Sequence, residues 1–129
     1  MNDYKNFTVC GQNTLLPMSY YKNQIEWFMQ NRKDCFFIFL GDETKFLSEE
    51  FRYVENKIIS SNLHYGADLA IMTQCNSGIL SPSSFSWWGS YMMRDRDTVF
   101  APKFWLGFRS KIEYQAQGVP SYSKEVEIF

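Results

Sequence analysis

The sequence predicts an α/β domain of three layers, a parallel sheet between two layers of helices, and three observations lead there. Short continuous apolar runs, above all Cys35-Phe36-Phe37-Ile38-Phe39-Leu40, read as strands covered on both faces, and such strands are usually parallel. Those runs alternate with segments whose apolar residues recur at steps of three and four, the pattern of βαβ units. At 129 residues the chain suits a single domain around one core, with no linker, repeat or low-complexity tract to divide it.

After a polar opening rich in Asn, Thr and Gly, residues 19–32 read as a helix, with Met18, Tyr21, Ile25, Phe28 and Met29 on one stripe. The apolar strand at residues 35–40 follows and is stopped by Gly41-Asp42. Residues 43–51 predict a short helix, residues 57–60 a short strand, residues 62–66 a turn and residues 68–74 a second short helix. Residues 77–81, centred on Ile79 and Leu80, form the next strand. Pro82 presets its own φ and biases Ser81 toward an extended conformation, so Ser83 or Ser84 should cap a helix whose Phe85, Trp88 and Met92 face the sheet. Residues 98–101 are the last predicted strand, and the strands at 35–40, 77–81 and 98–101 are expected to lie parallel in one sheet.

Composition excludes several classes. Hydrophobic residues are 45% of the chain and aromatics 19%, which argues against disorder. A formal charge of -1 offers no basic footprint for nucleic acid, and scattered lysines and arginines make no membrane patch. The longest apolar stretch, residues 35–40, is far too short to span a bilayer, and the first residues carry no export signal. Cys10, Cys35 and Cys75 have no C-x-x-C spacing and read as reduced, mostly buried thiols in a cytosolic setting, with no metal expected. No G-x-G-x-x-G follows a predicted strand, which argues against a dinucleotide oxidoreductase.

The serine-rich turn is the candidate site. A helix N-terminus leaves its first amides without intrahelical partners and carries partial positive charge, so the hydroxyls of Ser83, Ser84 and Ser86 would surround an anion site there. Taken alone, the same serines read more readily as plain helix caps. Asp42 follows a strand at its carboxyl end, where open α/β sheets place their ligands, although turn chemistry also explains it. His64 is the only histidine, and a surface or packing role is preferred to that of a general base. Trp87, Trp88, Tyr91 and Trp105 are read as core in preference to a sugar-stacking surface, and Glu49-Glu50 and residues 94–97 as solvated faces.

Three motifs carry a resemblance. Asp68-Leu69-Ala70-Ile71-Met72-Thr73-Gln74-Cys75-Asn76, then Ser84-Phe85-Ser86-Trp87-Trp88-Gly89, then Val99-Phe100-Ala101-Pro102-Lys103-Phe104-Trp105 are similar, in order and spacing, to the α-1,2-fucosyltransferases of glycosyltransferase family 11. The resemblance implies one Rossmann-like lobe of a GT-B fold, holding GDP-fucose as donor substrate without a metal. It further implies transfer of L-fucose, with inversion, to the 2-hydroxyl of a galactose-containing glycan. By the same resemblance Asp68 reads the guanine, and Ser83, Ser84, Phe85 and Ser86 meet the diphosphate. The other reading of Asp68 is a carboxylate favoured by the helix dipole. Pro82 and Ser77 depart from the family, whose bacterial members often carry Asn and His there.

Asn2-Asp3-Tyr4 resembles the end of the family's His-x-Arg-Arg-Gly-Asp-Tyr motif, which places Asp3 near the crevice. On that reading the chain is a fragment that lacks the arginines, a central strand and an N-terminal acceptor lobe, and is inactive alone; the missing strand should leave neighbouring edges unpaired. The alternative is a non-catalytic GDP-sugar binding module or degenerate fragment. The expected location is the cytoplasm, peripheral to the membrane for a bacterial protein, or the Golgi lumen for an animal one.

Overall fold

The computed structural model describes residues 5–60 and 64–129, so Asp3 and the first two residues of the turn expected at residues 62–66 lie outside the described residues. The chain forms β1 (Thr8–Val9), β2 (Gln12–Asn13), α1 (Met18–Asn31), β3 (Phe37–Phe39), α2 (Thr44–Glu50) and β4 (Lys57–Ile59). It continues with α3 (Tyr65–Gln74), β5 (Gly78–Ile79), α4 (Ser84–Tyr91), β6 (Val99–Pro102) and β7 (Lys124–Val126). The order is that of a parallel α/β fold. β3 pairs with β4 in parallel, and β5, β6 and β7 form a parallel three-stranded sheet in that order.

One expected sheet is therefore two. The strand at Phe37–Phe39 bonds to β4 and not to β5, whereas β5 and β6 share a sheet as expected. A second expectation also fails, because residues 35–40 are not covered on both faces. Phe37, Phe39 and Ile59 pack toward Ile25 and Phe51, but on the opposite face Phe36 is 62% and Ile58 54% exposed. A continuous apolar run thus has one buried and one open side, which composition alone cannot distinguish from burial on both.

Two elements had no apolar signal and were not anticipated. β1 and β2 form an antiparallel hairpin whose two-residue turn, Cys10-Gly11, takes φ of 51° and 75°. That is the pair of positive φ angles a tight hairpin turn demands, and glycine supplies one of them without strain. β7 is a largely exposed edge strand of Lys, Glu and Val that pairs with β6, with Val126 packed toward Leu16, Tyr20 and Phe108 and Lys124 over the Trp27 ring. The helix expected at 68–74 begins three residues earlier, at Tyr65, because the His64 side chain accepts a hydrogen bond from the Gly66 amide at 3.2 Å. His64 is thus an exposed cap stacked near Tyr65, in keeping with a packing role.

Helix α1 joins the two sheets. Ile25 belongs to the core that holds Leu47, Phe51 and Val54 and touches Phe37, Phe39 and Ile79. Phe28 lies edge-on to Phe37 at 6.5 Å and to Phe100 at 5.5 Å, so one ring contacts a strand of each sheet. The buried Tyr20 hydroxyl donates to the Leu80 carbonyl at 3.0 Å and approaches that of Phe100 at 3.3 Å. Sequence periodicity placed this helix within one residue of its observed ends.

Burial holds the phenol of Tyr20 well above its ordinary pKa, with a further upward push from Tyr21, whose own phenol is also raised by burial. The folded state therefore keeps protons that the unfolded chain releases near pH ~10, so this contribution is complete below that pH and is lost as pH rises further. Replacing Tyr20 by Phe should cost about 1 kcal/mol near neutrality, the worth of a buried hydrogen bond. Urea denaturation at pH ~8 and pH ~11 checks the linkage: the wild type should lose more stability across that interval than Tyr20→Phe.

Candidate functional site

The serine turn forms as the sequence requires. Ser83 is the N-cap of α4, extended at φ -135° and ψ 147°, and its Oγ accepts from the Ser86 amide at 3.2 Å. The Trp87 amide donates to the Ser83 carbonyl at 3.0 Å. That leaves the Ser84 and Phe85 amides as the first-turn donors for an acceptor outside the helix, beside the exposed Ser84 side chain. Ser86 does a different job. It is buried, and its Oγ donates to the Ser81 carbonyl at 2.5 Å, bracing the turn from inside. Tyr21 adds a second brace by donating to Ser81 Oγ at 3.2 Å.

The face of α4 is the reverse of the expected one. Phe85, Trp88 and Met92 are exposed, Trp88 by 52%, while Ser86, Gly89 and Ser90 are the buried residues. The cause is close helix packing. α4 lies against α3 so tightly that a Cβ on Gly89 would collide with the Met72 side chain, and Ser90 bonds Tyr122 through their hydroxyls at 2.8 Å. Small residues let the helix approach, so the large ones turn outward. Trp105 is core as expected, whereas Trp88 and Tyr91 form an exposed edge-to-face pair beside Trp87, which stacks on Tyr91 at 5.2 Å.

Asp68 stands half-buried in the first turn of α3, where its Oδ1 accepts from the Ser60 hydroxyl at 2.7 Å. Ser60 follows β4, so this bond ties a helix start to the carboxyl end of a strand. Oδ2 accepts no bond from a described residue. Asp42 is exposed just beyond β3. α3 and α4 both begin after the carboxyl ends of parallel strands, the edge at which such sheets bind ligands. A cavity of about 820 Å³ reaches Ser81 but is lined by neither Asp68 nor Ser83 to Ser86.

Lys103 is a residue that sequence reasoning left without a role, although it stands in the third motif. It lines a smaller cavity, about 480 Å³, with Trp87, Phe104 and Glu113. The next two residues, Phe104 and Trp105, take positive φ of 65° and 51°, a rare conformation for aromatic side chains that tertiary contacts must hold. Residues 94–97 are exposed but not idle. Arg96 donates to the Ser90 and Tyr91 carbonyls at the end of α4 and lies 3.7 Å over the Tyr122 ring, while Asp97 pairs with Arg32 at 2.9 Å. The three cysteines are free, Cys10 exposed against expectation and Cys75 half-buried with its thiol pKa pushed up by burial. Among the described residues no cluster of His, Cys, Asp and Glu could hold a metal, and no helix is long and apolar enough to cross a membrane.

A parallel α/β layer with helix N-termini at the carboxyl ends of its strands is the class of domain that binds anionic ligands at that edge. The model of glycosyl transferase family 11 matches residues 11–119, and the chain belongs to that family of glycosyltransferases. It is 28% identical over 101 residues to the O-antigen biosynthesis glycosyltransferase WbnK of Escherichia coli, covering 75% of this chain and 33% of that protein. It is 26% identical over 92 residues to galactoside alpha-(1,2)-fucosyltransferase 1 of Mus musculus, covering 68% of this chain and 24% of the relative. The rat enzyme of the same name is 25% identical over the same length. The chain thus spans a quarter to a third of the curated relatives it matches. No solved structure matches it.

The cap makes a separable prediction. Ser83→Ala should lower stability by about 1 kcal/mol through loss of the N-cap bond, whereas Ser84→Ala, exposed at the first helical position, should leave it within about 0.5 kcal/mol. Chemical denaturation of the two variants against wild type measures both.

Proposed function

We propose that this chain is the donor-binding half of an α-1,2-fucosyltransferase, which moves L-fucose from GDP-fucose, with inversion, to the 2-hydroxyl of a galactose-type acceptor. The observation that carries the reading is the family match over residues 11–119, with relatives named as galactoside alpha-(1,2)-fucosyltransferases. The geometry of α4 supports it. Two first-turn amides and the Ser84 hydroxyl present donors at a helix N-terminus, the arrangement that suits a diphosphate.

As the fucosyl bond breaks, negative charge grows on the leaving GDP and positive charge on the sugar ring. Fixed donors aimed at the diphosphate stabilise that charge in the transition state more than in the ground state. Ser86 and Tyr21 contribute by holding the turn in place before the donor arrives. Asp68, with Oδ1 fixed by Ser60, offers its second oxygen to the ring and amino N–H groups of guanine, a task for which an acceptor-only carboxylate is suited. No metal takes part in this scheme, and no residue of this chain is assigned the catalytic base. The acceptor and the base belong to polypeptide outside it. A second reading, a GDP-sugar binding module without turnover, draws on the short share of the relatives that the chain spans.

Titration with GDP and ADP tests the donor site. Ser84→Ala should weaken GDP binding by about 1 kcal/mol, as for a lost hydrogen bond to a charged group. Asp68→Ala should weaken GDP more than ADP, and equal affinity of the wild type for the two nucleotides would sink the guanine assignment. The 129-residue chain alone should bind GDP yet transfer no measurable fucose to a galactoside. An ordinary enzymatic rate would overturn the division of labour between halves, and a full-length protein that binds GDP without transfer would favour the module.

A further inference from the structure

Lys103 follows β6 directly, and the cavity of about 480 Å³ that it lines is bounded by α4, the chain after β6, the loop at residues 113–121 and β7. Glu125 reaches it from β7. Its neighbours Lys124 and Val126 contact Trp27 and the core of Leu16, Tyr20 and Phe108 on the α1 side, so alternation along the strand turns Glu125 toward α4. Its pairing partner Ala101 lies on that same side and has no side chain beyond Cβ to fill the space. The walls are held without a ligand. Trp87 is half-buried, stacked on Tyr91 at 5.2 Å and packed against the core of Val99 and Ala101. Glu113 Oε1 accepts from the Gln117 amide at 3.0 Å, and Gly118 lies so close to the Trp105 ring that a Cβ there would meet it at 2.8 Å. At the positive φ angles of Phe104 and Trp105 the chain turns, with Trp105 in the core and Lys103 and Phe104 left on the cavity.

We propose that this cavity is a binding site for one neutral sugar unit, held between the ring of Trp87 and the side chains of Lys103 and Glu125. The inference is independent of the donor reading, because neither Asp68 nor Ser83 to Ser86 lines the cavity. The charges select the ligand. No described residue forms an ion pair or hydrogen bond with the Lys103 ammonium or the Glu125 carboxylate, so a donor and an acceptor stand open in one cavity without neutralising each other. Glu113 and Glu125 disfavour an anion, and Lys103 disfavours a cation. An apolar ligand would take these charges, with Gln117 and Ser121, out of water and give them no partner. A sugar meets each demand. Its hydroxyls both donate and accept, so they can serve the ammonium and the carboxylates together, while the C–H face of the ring suits Trp87 and the apolar Val119 and Pro120. The volume falls within the range of about 300–1,000 Å³ usual for small-ligand sites.

The test is an NMR titration of the isotope-labelled 129-residue protein with the methyl glycosides of galactose, glucose, N-acetylglucosamine and fucose, and with glucuronate and choline as the anionic and cationic controls. At least one glycoside should shift the Trp87 indole N–H and the backbone amides of Lys103, Ser121 and Glu125 while the Asp68 amide stays in place. Each control should bind about tenfold or more weakly than that glycoside. Trp87 serves the core as well as the cavity, so the variants are Lys103→Met and Glu125→Gln, which leave the backbone pairing of β6 with β7 intact. Each should weaken the glycoside by about tenfold, the effect of losing a hydrogen bond to a charged group. Four glycosides that shift nothing, a control that binds as well as they do, or variants with wild-type affinity would each overturn the proposal. Shifts centred on Asp68 and Ser84 would also overturn it, by assigning the sugar to the nucleotide edge.

Discussion

Helix α1 is the contact on which the rest of the structure depends. The two sheets share no backbone bond, and it is α1 that holds them on one common face, through Ile25 toward β3 and Ile79 and through Phe28 toward both Phe37 and Phe100. Its tyrosines add directed bonds to this apolar contact. Tyr20 bonds the carbonyls of Leu80 and Phe100, and Tyr21 bonds Ser81, so the helix that joins the sheets also fixes the place where β5 ends and the serine turn begins. Without that anchor the turn would have no defined relation to the first sheet.

From there the site follows by local chemistry. β5 ends at Ile79, Pro82 breaks the extended chain, and Ser83 caps α4. Bonds from Ser86 and Tyr21 fix Ser81, while the Ser84 and Phe85 amides remain as first-turn donors. The same division of labour appears at α3, where His64 caps the helix and Ser60 takes one oxygen of Asp68. In each case part of the motif maintains the geometry and part of it remains available. A run of serines in the sequence does not distinguish these roles, since burial of Ser86 and exposure of Ser84 depend on which side of α4 meets α3.

The open features of the molecule belong together. Phe36 and Ile58 are exposed on one face of the β3–β4 pair, Ile38 and Ile79 line a cavity between the two sheets, and Phe85, Trp88 and Met92 lie outward on α4. A residue that is apolar and uncovered is ordinary when single, but a sheet face, the walls of a cavity between sheets and a helix face together mark surface that an α/β fold normally buries.

By itself the sequence determined the alternation of helices and strands, the parallel pairing of β5 with β6, the place and cap of α4, and the family. Each of these is written in local signals: periodicity at α1, a proline and serine at the turn, and three ordered motifs. The short β7 and the β1–β2 hairpin escaped because backbone pairing and a positive-φ turn leave little trace in side-chain hydrophobicity. Only the tertiary structure decided that β3 and β5 part into separate sheets, and that α4 turns Ser86, Gly89 and Ser90 inward with its aromatics outward. Which edges meet depends on what lies between them, and which face of a helix is buried depends on how closely its neighbour approaches. Hydrophobic pattern states that a side chain can be buried, whereas the shape of the facing surface, here Met72 against Gly89, selects the side chain that is.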